Sequence, residues 1–405
     1  MLREVSLLLM LCAFSFVCTA KAEENKKLKI AYVIDAFQQQ RSGGVVSANR
    51  FMNIFKKEHD LVIVSTERLD GDGYEKVPGF YFPGAKNKMK KNGMKFGYAK
   101  TERLEKIFAD VDLIYIHFPF ILGRQAIKVA KKMGKPVVVG FHLQPENLLM
   151  NVGSQSKSLA KMIYRRDIRG FYNLADITIC PSYFAEEILL ANKHFKGNTV
   201  VISNGLTPEF RPRPAKPFPE YEDKFVILTV GRLAKEKRHD VILDAIRRSK
   251  YKNNIKLVVT GNGVLKDDLI EQGKTLPIRP DIGFVEEDRL KRLYNTADLY
   301  IHASDVELEG MSVLEAIGSG CPALISDAVT SASKQFAIDE KFLFSSGNSK
   351  QLAEKIDYWY ENRTELKEAG KAFSESAKKY YIESSAARMG EIFKRTIEWK
   401  KEQES

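Results

Sequence analysis

The sequence predicts an α/β protein built from two doubly wound domains, each with a parallel sheet. A chain of 405 residues is too long for one ordinary hydrophobic core. Short apolar runs alternate with helix-like stretches in two separate series, and a proline-rich segment, residues 208–219, lies between them. Continuous apolar strands with helical crossovers are typical of parallel sheets buried on both faces. The composition, 44% hydrophobic and 29% charged, excludes an intrinsically disordered chain.

Each series has its own set of predicted elements. The first contains strands over residues 28–34, 61–65, 113–117, 137–142, 177–180 and 200–202, with helices over residues 46–56, 124–132 and 183–192. The second contains strands over residues 226–230, 257–260, 299–302, 323–326 and 342–344 and a last helix over about residues 386–400. We therefore expect a first domain over residues 25–210, a second over residues 222–380, and a C-terminal helical segment over residues 381–405.

The first 24 residues form an apolar segment of a different kind. Arg3 precedes an apolar run over residues 5–17, and Ala20, Lys21 and Ala22 offer a small-x-small cleavage pattern. These features predict a secretory signal peptide, and the apolar run is short for a membrane span. An uncleaved anchor and upstream sequence from a misassigned start are the alternatives.

Two carboxylates bracket a predicted loop and helix in the second series. Glu307 precedes the helix, which begins after Gly310, and Glu315 follows on its second turn, so seven residues separate the two acids. Both acids can border one pocket, where the backbone amides of Gly310, Met311 and Ser312 at the helix start favour an anion. Carboxylates that accept sugar hydroxyls, beside amides that hold phosphate, suit a sugar nucleotide. The alternative is a solvated acidic loop followed by a capped helix.

Glycines and histidines follow strand ends in the first series, where ligands of open α/β sheets bind. Gly43 and Gly44 precede the first helix and let a phosphate or sugar approach the backbone closely. His117 and His142 end neighbouring predicted strands. A single histidine is more often structural than catalytic, but two at adjacent strand ends favour a functional site.

Three polar residues of the first series lie at or after predicted strand ends. Asp35 follows the first predicted strand, His117 ends the third, and Glu146 lies in the loop after the fourth. The carboxyl ends of parallel strands meet at one edge of a sheet, so we expect these side chains at its ligand-binding edge. The family resemblance described below implies that they lie near the entrance for an acceptor.

The second series opens with a basic loop between its first strand and helix. Gly231 and Arg232 are followed by Lys237, and one delocalised guanidinium with one compact ammonium suits a diphosphate. Gly261 and Gly263 form the next glycine turn. A basic loop in a basic protein and a simple turn are the alternatives for these two segments.

Neither cysteines nor histidines predict a metal site or a disulfide framework. The four cysteines are Cys12, Cys18, Cys180 and Cys321; two lie in the N-terminal segment and two beside predicted strands. The six histidines are scattered, and neither set has metal-ligand spacing. We therefore expect no metal in the site.

The formal net charge of +12 suits polyanions, anionic lipid surfaces or phosphorylated substrates. Residues 86–100 carry six lysines with aromatic and methionine side chains, and residues 157–172 place basic and aromatic residues at helix-like spacing. Basic amphipathic stretches adsorb to anionic headgroups. An ordinary solvated face is the alternative for each stretch.

The pair Glu307 and Glu315, with Leu-Glu-Ala around the second acid and a small-Gly-x-Pro segment after it, resembles the Glu-x7-Glu signature of retaining glycosyltransferases of family 4. That family usually has an aromatic residue two positions after the first acid, where this chain has Glu309. The Glu-x-Glu-Gly variant and residues 333–344 resemble the subgroup that glucosylates diacylglycerol. The resemblance implies the GT-B architecture, two Rossmann-like domains facing a cleft.

The resemblance also implies roles for the site residues. His142 would contact the donor sugar from the first domain, Arg232 and Lys237 would bind the diphosphate, and Glu307 and Glu315 would hold the sugar and ribose hydroxyls. The remaining donor-binding positions are Gly43, Gly44, Gly231, Gly261, Gly263, Gly310, Met311 and Ser312.

The resemblance implies transfer of a hexose, glucose from UDP-glucose, to a membrane lipid hydroxyl such as that of 1,2-diacylglycerol. The UDP-sugar is then a co-substrate, no cofactor is needed, and nucleic acid is not a partner. The protein would work at an anionic membrane surface on the cytoplasmic face, although the signal-like start indicates export. Three alternatives stay open: a family 4 enzyme with a polysaccharide or other soluble acceptor, a sugar-nucleotide epimerase, and an exported bilobal substrate-binding protein.

Overall fold

The computed structural model describes residues 27–38, 43–68, 71–84, 86–91, 95–151 and 156–404. The predicted signal or anchor segment, residues 1–24, lies outside these residues. The described strands, in chain order, are β1 (Lys29–Val33), β2 (Asp60–Ser65), β3 (Tyr74–Lys76), β4 (Gly79–Phe80), β5 (Phe96–Gly97), β6 (Leu113–Ile116), β7 (Val137–Gly140), β8 (Ile177–Cys180), β9 (Thr199–Val201), β10 (Phe225–Val230), β11 (Ile255–Thr260), β12 (Asp281–Gly283), β13 (Leu299–His302), β14 (Ala323–Ser326) and β15 (Leu343–Phe344).

Helices connect most of these strands. In chain order they are α1 (Gly43–Glu58), α2 (Lys86–Lys91), α3 (Thr101–Ala109), α4 (Ile121–Lys132), α5 (Pro145–Asn151), α6 (Lys157–Gly170), α7 (Tyr183–Leu190), α8 (His239–Arg248), α9 (Lys266–Gly273), α10 (Glu287–Thr296), α11 (Met311–Gly318), α12 (Ser349–Glu361), α13 (Arg363–Ala377) and α14 (Ile382–Glu404). Among the described residues, no helix is both long and apolar enough to cross a bilayer.

The first sheet has seven parallel strands in the order β3-β2-β1-β6-β7-β8-β9. Its central strand β1 is buried on both faces, which explains its unbroken apolar sequence. Ala31 and Val33 pack into the core on one side of the sheet, whereas Ile30 and Tyr32 pack into the core on the other. The strand order reverses between β1 and β6, and ligands bind at such a switch point.

The second sheet has six parallel strands in the order β12-β11-β10-β13-β14-β15. Its switch point lies between β10 and β13, so the loops that follow these two strands meet at one edge. The loop after β10 carries Arg232 and Lys237, and the loop after β13 carries Glu307. The basic and acidic segments found in the sequence are therefore neighbours in the fold.

The predicted α/β class with two doubly wound sheets is confirmed, and most predicted strands are found within two residues. Two short edge strands, β3 and β12, were missed because each has three residues and no apolar run. The two-residue strands β4 and β5, which form a small antiparallel pair, were missed for the same reason. No residue of β3 or β12 is fully buried, so their sequences lack the continuous apolar character of central strands.

The C-terminal helix α14 packs on the first sheet. Ala386, Met389 and Phe393 lie in the same buried cluster as residues of β1 and α1. The Phe393 ring lies 5.5 Å from that of Phe55, centroid to centroid. Helix α14 therefore packs on the first domain although it follows the second domain in sequence.

Candidate active site

Gly43 and Gly44, which were predicted to precede the first helix, are the first two residues of α1. The start of α1 faces the start of α11 across the cleft between the sheets: a β-carbon placed on Gly43 would lie 3.3 Å from the sulfur of Met311, so the two helix starts are in van der Waals contact. Gly310 has φ of +96°, and a β-carbon there would lie 2.3 Å from the hydroxyl oxygen of Ser333. Only glycine fits this position, because a side chain would meet both strain and a clash.

The start of α11 presents backbone donors to the cleft. The Gly310 carbonyl accepts the first hydrogen bonds of the helix, from the amides of Val313 and Leu314 at 3.0 and 3.2 Å. The amides of residues 310–312 precede these bonds and stand at the positive end of the helix, which favours an anion. The Ser312 hydroxyl lies 3.0 Å from that of Tyr300 on β13, which fixes the first turn to the sheet.

A buried cluster of opposite charges lies beside the helix start. The Lys237 ammonium forms an ion pair with Glu307, and the Nε2 of His302 lies 3.4 Å from the same carboxylate oxygen. Burial alone would raise the pKa of Glu307, but Lys237 and His302 reverse this effect and hold the pKa well below its usual range. Glu307 is therefore a carboxylate at neutral pH, able to accept hydrogen bonds from sugar hydroxyls.

Arg232, the second predicted cation, is held in place by a buried carboxylate. Its guanidinium donates a 2.6 Å hydrogen bond to Glu236, whose side chain is fully buried. The Nε2 of His239 lies 3.3 Å from the Arg232 carbonyl, and burial lowers the pKa of this histidine to about 4. The local turn Lys235–Lys237 thus places both predicted cations on one loop, with Arg232 fixed by a carboxylate.

Glu315 accepts hydrogen bonds from residues of both domains. Arg50, on α1, donates a 2.5 Å hydrogen bond to one carboxylate oxygen, and the Tyr294 hydroxyl lies 3.2 Å from the other. Arg50 also donates to the Gly205 carbonyl at 3.1 Å. The ion pair is nearly buried, with 12% exposure for each side chain, so Arg50 sets the orientation of Glu315 from across the cleft.

The two predicted histidines form a stacked pair. The rings of His117 and His142 are 4.2 Å apart and nearly parallel, and the Nε2 of His117 lies 2.8 Å from the Gly44 carbonyl. Burial lowers the pKa of His142 to about 4, so its ring is neutral at pH 7. His117 is fully buried and has no exposed surface, which does not favour the predicted contact with an acceptor. We assign its ring to supporting His142 and Gly44 instead.

Asp35 and Glu146 occupy different surroundings. Asp35 is buried, and its carboxylate accepts a 2.8 Å hydrogen bond from the Gly97 amide on β5. Its carboxylate therefore anchors β5, and its acceptor role stays a prediction. Glu146 on α5 accepts a 2.9 Å hydrogen bond from the Tyr164 hydroxyl on α6, and its acceptor role stays a prediction.

The remaining glycines pack two loops against each other. A β-carbon on Gly261 would lie 1.8 Å from the Gly231 carbonyl oxygen, and one on Gly263 would lie 2.3 Å from that of Leu233. Both residues are therefore required by close backbone approach, which favours the alternative of a structural turn over a direct donor contact. In the described ranges, no group of three or more His, Cys, Asp or Glu side chains is placed to hold a metal.

Glu309 joins the acidic loop to the interdomain segment. Its carboxylate accepts hydrogen bonds from the backbone amide and side-chain amide of Asn204, at 3.0 and 2.6 Å. The Asn204 side chain in turn accepts a 2.6 Å hydrogen bond from Ser47 on α1. The neighbouring Leu308 carbonyl accepts one from Ser182 of the first domain, at 2.5 Å. The loop between the two signature acids is thus fixed by the first domain.

Replacing Glu309 with glutamine should remove a pH-dependent cost of folding. Burial raises the pKa of Glu309 to about 7, against hydrogen bonds from Ser203 and Asn204. The folded state therefore holds its proton more tightly than the unfolded state, and stability is lost as pH rises from about 4.5 to about 7. Glutamine keeps an acceptor oxygen but does not ionise. The stability of Glu309→Gln relative to wild type should therefore increase between pH 5 and pH 8, by at most about 3 kcal/mol in the free energy of unfolding, and its relative melting temperature should rise with it.

The control for this comparison lies in the first domain. Burial raises the pKa of Asp35 to about 7 as well. The stability of Asp35→Asn relative to wild type should therefore increase over the same pH range, although this substitution leaves the contact between Glu309 and Asn204 intact. Calorimetric melting curves of wild type and both variants, from pH 5 to pH 8, measure the difference. Parallel curves for wild type and Glu309→Gln would mean that this carboxyl does not titrate in the window.

Sequence reasoning missed Arg50, His302 and Tyr294. His302 ends a strand, as His142 was predicted to do, and the same rule applied to β13 would have found it. Arg50 lies two turns into α1, and 265 positions separate it from Glu315. Such a pair has no local signal, because only the docking of the two domains brings it together.

Two family models together match most of the chain. Residues 42–210 match the model described as Glycosyltransferase Family 4, and residues 211–380 match that described as Glycosyl transferases group 1. The chain is 26% identical over 320 residues to the alpha-monoglucosyldiacylglycerol synthase of Streptococcus pneumoniae, covering 73% of this chain and 70% of that protein. It is 24% identical over 317 residues to the GDP-mannose-dependent alpha-mannosyltransferase of Mycolicibacterium smegmatis, covering 74% and 80%.

Solved structures share the two-domain fold. Anabaena HepE in complex with UDP and glucose has a TM-score of 0.69 at 16% identity, covering 91% of this chain and 100% of that one. Sucrose-phosphate synthase from Thermosynechococcus elongatus also has a TM-score of 0.69, at 15% identity over 91% and 99%. These likenesses confirm the predicted architecture of two sheets facing a cleft.

Proposed function

Because this chain belongs to the family 4 glycosyltransferases and has their GT-B fold, we propose that it transfers glucose from UDP-glucose to a membrane lipid hydroxyl, such as that of 1,2-diacylglycerol. The observation that carries the proposal is the arrangement around one cleft of two cations, a free helix start and two buried carboxylates. The match to an alpha-monoglucosyldiacylglycerol synthase over 73% of the chain supports the choice of donor and acceptor.

The diphosphate of the donor binds between the basic loop and the start of α11. Arg232 and Lys237 neutralise the negative charge that builds on the leaving diphosphate, and the amides of residues 310–312 donate hydrogen bonds to it. These donors are fixed before the reaction, so they stabilise the transition state without reorganisation. Lys237 pairs with Glu307, and on donor binding its ammonium would contact both this carboxylate and a phosphate oxygen.

The sugar and the ribose bind on opposite sides of α11. Glu307 accepts hydrogen bonds from the glucose hydroxyls, and Glu315, oriented by Arg50 and Tyr294, accepts them from the ribose. His142 orients the glucose from the first domain. Its pKa of about 4 makes it a neutral hydrogen-bonding partner at pH 7 and not a charged one.

The chemical step proceeds with retention at the anomeric carbon. The acceptor hydroxyl attacks this carbon from the side of the leaving group, the bond to the diphosphate breaks, and the hydroxyl proton passes to a phosphate oxygen of the departing UDP. This route uses no covalent bond to the protein, no resident metal and no cofactor. The two glycosyltransferase models cover residues 42–380, so we set the exported binding protein aside.

The protein works at an anionic membrane surface. Helices α2 and α6 carry the two basic stretches of the first domain, and the net charge of the chain is +12. Each lysine near an anionic leaflet contributes about 1 kcal/mol of attraction, which salt screens. The first domain can thus approach the interface where a diacylglycerol hydroxyl is exposed.

A screen of donors and acceptors tests the function. We expect hydrolysis of UDP-glucose to exceed that of GDP-mannose and UDP-N-acetylglucosamine when no acceptor is present. We also expect transfer to diacylglycerol in anionic vesicles and poor transfer to soluble glucosides. Efficient transfer to a soluble sugar with no lipid product would replace the lipid acceptor by a soluble one, and a preference for GDP-mannose would overturn the donor assignment.

A further inference from the structure

A continuous run of aromatic rings leads from His142 to the surface of the first domain. His117 stacks on His142 and lies edge-on to Phe118, with centroids 4.5 Å apart. We name the next four rings the aromatic ladder; in order outward they are Phe118, Phe120, Phe96 and Phe82. Successive centroids in the ladder are 5.2, 5.1 and 5.2 Å apart, so each ring contacts the next.

The inner end of the ladder touches the proposed donor site. A β-carbon on Gly44 would lie 3.0 Å from the Phe118 ring and 3.4 Å from the β-carbon of His142. Only the backbone of Gly44 therefore lies between the Phe118 ring and the cleft. A molecule lying along the ladder would have its inner end beside the ring of His142.

The outer end is exposed and lies beside α2. Phe82 is 45% exposed, and the neighbouring Tyr98 is 44% exposed. The Phe82 amide lies 3.3 Å from the sulfur of Met89, so α2, which contributes four lysines to the sequence, packs at this end. Exposed aromatic rings beside cationic residues are typical of a surface that meets the boundary between lipid headgroups and acyl chains.

The small β4–β5 pair, which carries Phe96 of the ladder, is fixed to the sheet. Gly79 and Gly97 are paired in register, and a β-carbon on either would lie within 3.0 Å of the Thr66 side chain. The buried Asp35 carboxylate accepts a hydrogen bond from the Gly97 amide, as described above. The ladder is therefore a rigid feature of the first domain, anchored at the carboxyl ends of β1 and β2.

We propose that the aromatic ladder binds the hydrocarbon part of the acceptor, a lipid alcohol drawn from the membrane, and thereby delivers its hydroxyl to His142. This inference rests on the proposed function and adds the acceptor site to it. The three outer rings offer apolar surface, since Phe120 and Phe96 are partly exposed and Phe82 is 45% exposed. Burial of an acyl chain on these rings removes apolar area from water. The inner end of the ladder lies beside the proposed donor site, and its outer end lies beside α2. One lipid molecule bound along the ladder could therefore extend from the membrane surface to the donor site.

Substitution of the exposed outer ring tests the proposal with little risk to folding. Phe82→Ser should raise KM for dispersed dioctanoylglycerol about tenfold, because it removes the apolar surface of one ring. The turnover number and the rate of UDP-glucose hydrolysis without acceptor should not change. Phe82→Leu should restore most of the affinity. The matched control is Tyr358→Ser on α12, a ring with similar exposure at 43% on the second domain, which should leave KM unaltered.

The dispersed short-chain lipid separates acceptor binding from membrane adsorption, because no charged vesicle is present. A change in KM confined to vesicle-borne diacylglycerol would overturn the proposal and make the ladder a membrane anchor. A wild-type KM in Phe82→Ser for both lipid forms would also overturn it, with the lipid transferase itself left standing. If wild type hydrolyses UDP-glucose but glucosylates neither lipid, the proposed lipid acceptor fails, and the ladder proposal fails with it.

Discussion

Replacing Lys237 with alanine is expected to lower turnover about 100-fold, the effect of one lost preorganised charge contact at a leaving group. Arg232→Ala should have an effect of the same size. Lys237 lies in a nearly buried ion pair with Glu307, and Arg232 is oriented by the buried Glu236, so both cations are held in place before the donor arrives. Lys237→Arg should also impair turnover, because a planar guanidinium cannot take the position of a compact ammonium.

Lys235 supplies the control for these two variants. It lies in the same short turn as Lys237 but is exposed to solvent, so Lys235→Ala removes an equal charge without touching the site. Steady-state rates with UDP-glucose measure the effect, and melting temperatures separate it from unfolding, since loss of either cation leaves a buried carboxylate without its partner. Near-normal turnover in both Arg232→Ala and Lys237→Ala would refute the diphosphate assignment.

The fold was predictable because its central strands carry a strong signal. Strands β13 and β14 are buried along their whole length, β8 is buried except at its first residue, and the predicted bounds of all three match the structure residue for residue. Buried parallel strands must be apolar on both faces, which sets them apart from the helices around them. The edge strand β12, with the sequence Asp-Ile-Gly, carries no such constraint and leaves no pattern.

The candidate site was predictable where its residues are close in sequence. Gly310 and Glu315 lie on one loop and helix, so spacing alone places them at one edge of the sheet. The contact between Lys237 and Glu307 needs only the rule that loops after neighbouring strands meet at the switch point. Both parts of this donor site therefore follow from local pattern and sheet topology.

The contacts that join the domains could not be predicted in this way. Arg50 contacts Glu315, and Asn204 contacts Glu309, across 265 and 105 positions of sequence, so these contacts depend on how the two domains pack together. Neither Arg50 nor Asn204 has a distinguishing local pattern, because polar side chains on a helix and in a connecting segment are common at protein surfaces. The sequence showed that Glu309 replaces the aromatic residue usual in the family, but it did not show the hydrogen bonds of Glu309 to Asn204.

The two signature carboxylates are expected to differ in what their loss does. Glu307→Gln should lower turnover about 100-fold through misplacement of the sugar, while UDP affinity stays near that of wild type. Glu315→Gln should weaken UDP binding about tenfold, because a neutral amide is a poorer acceptor for the ribose hydroxyls than a carboxylate. Calorimetric titration of UDP into each variant, with turnover measured in parallel, tests the split.

Arg50 provides the control that links Glu315 to the interdomain contact. If Arg50 acts by orienting Glu315, then Arg50→Gln should weaken UDP binding, and combining it with Glu315→Gln should add less than the sum of the two single effects. Additive effects would separate Arg50 from ribose binding and leave it as an interdomain contact alone. Equal UDP affinity in Glu307→Gln and Glu315→Gln would contradict the division itself, because the two acids would then serve the same part of the donor.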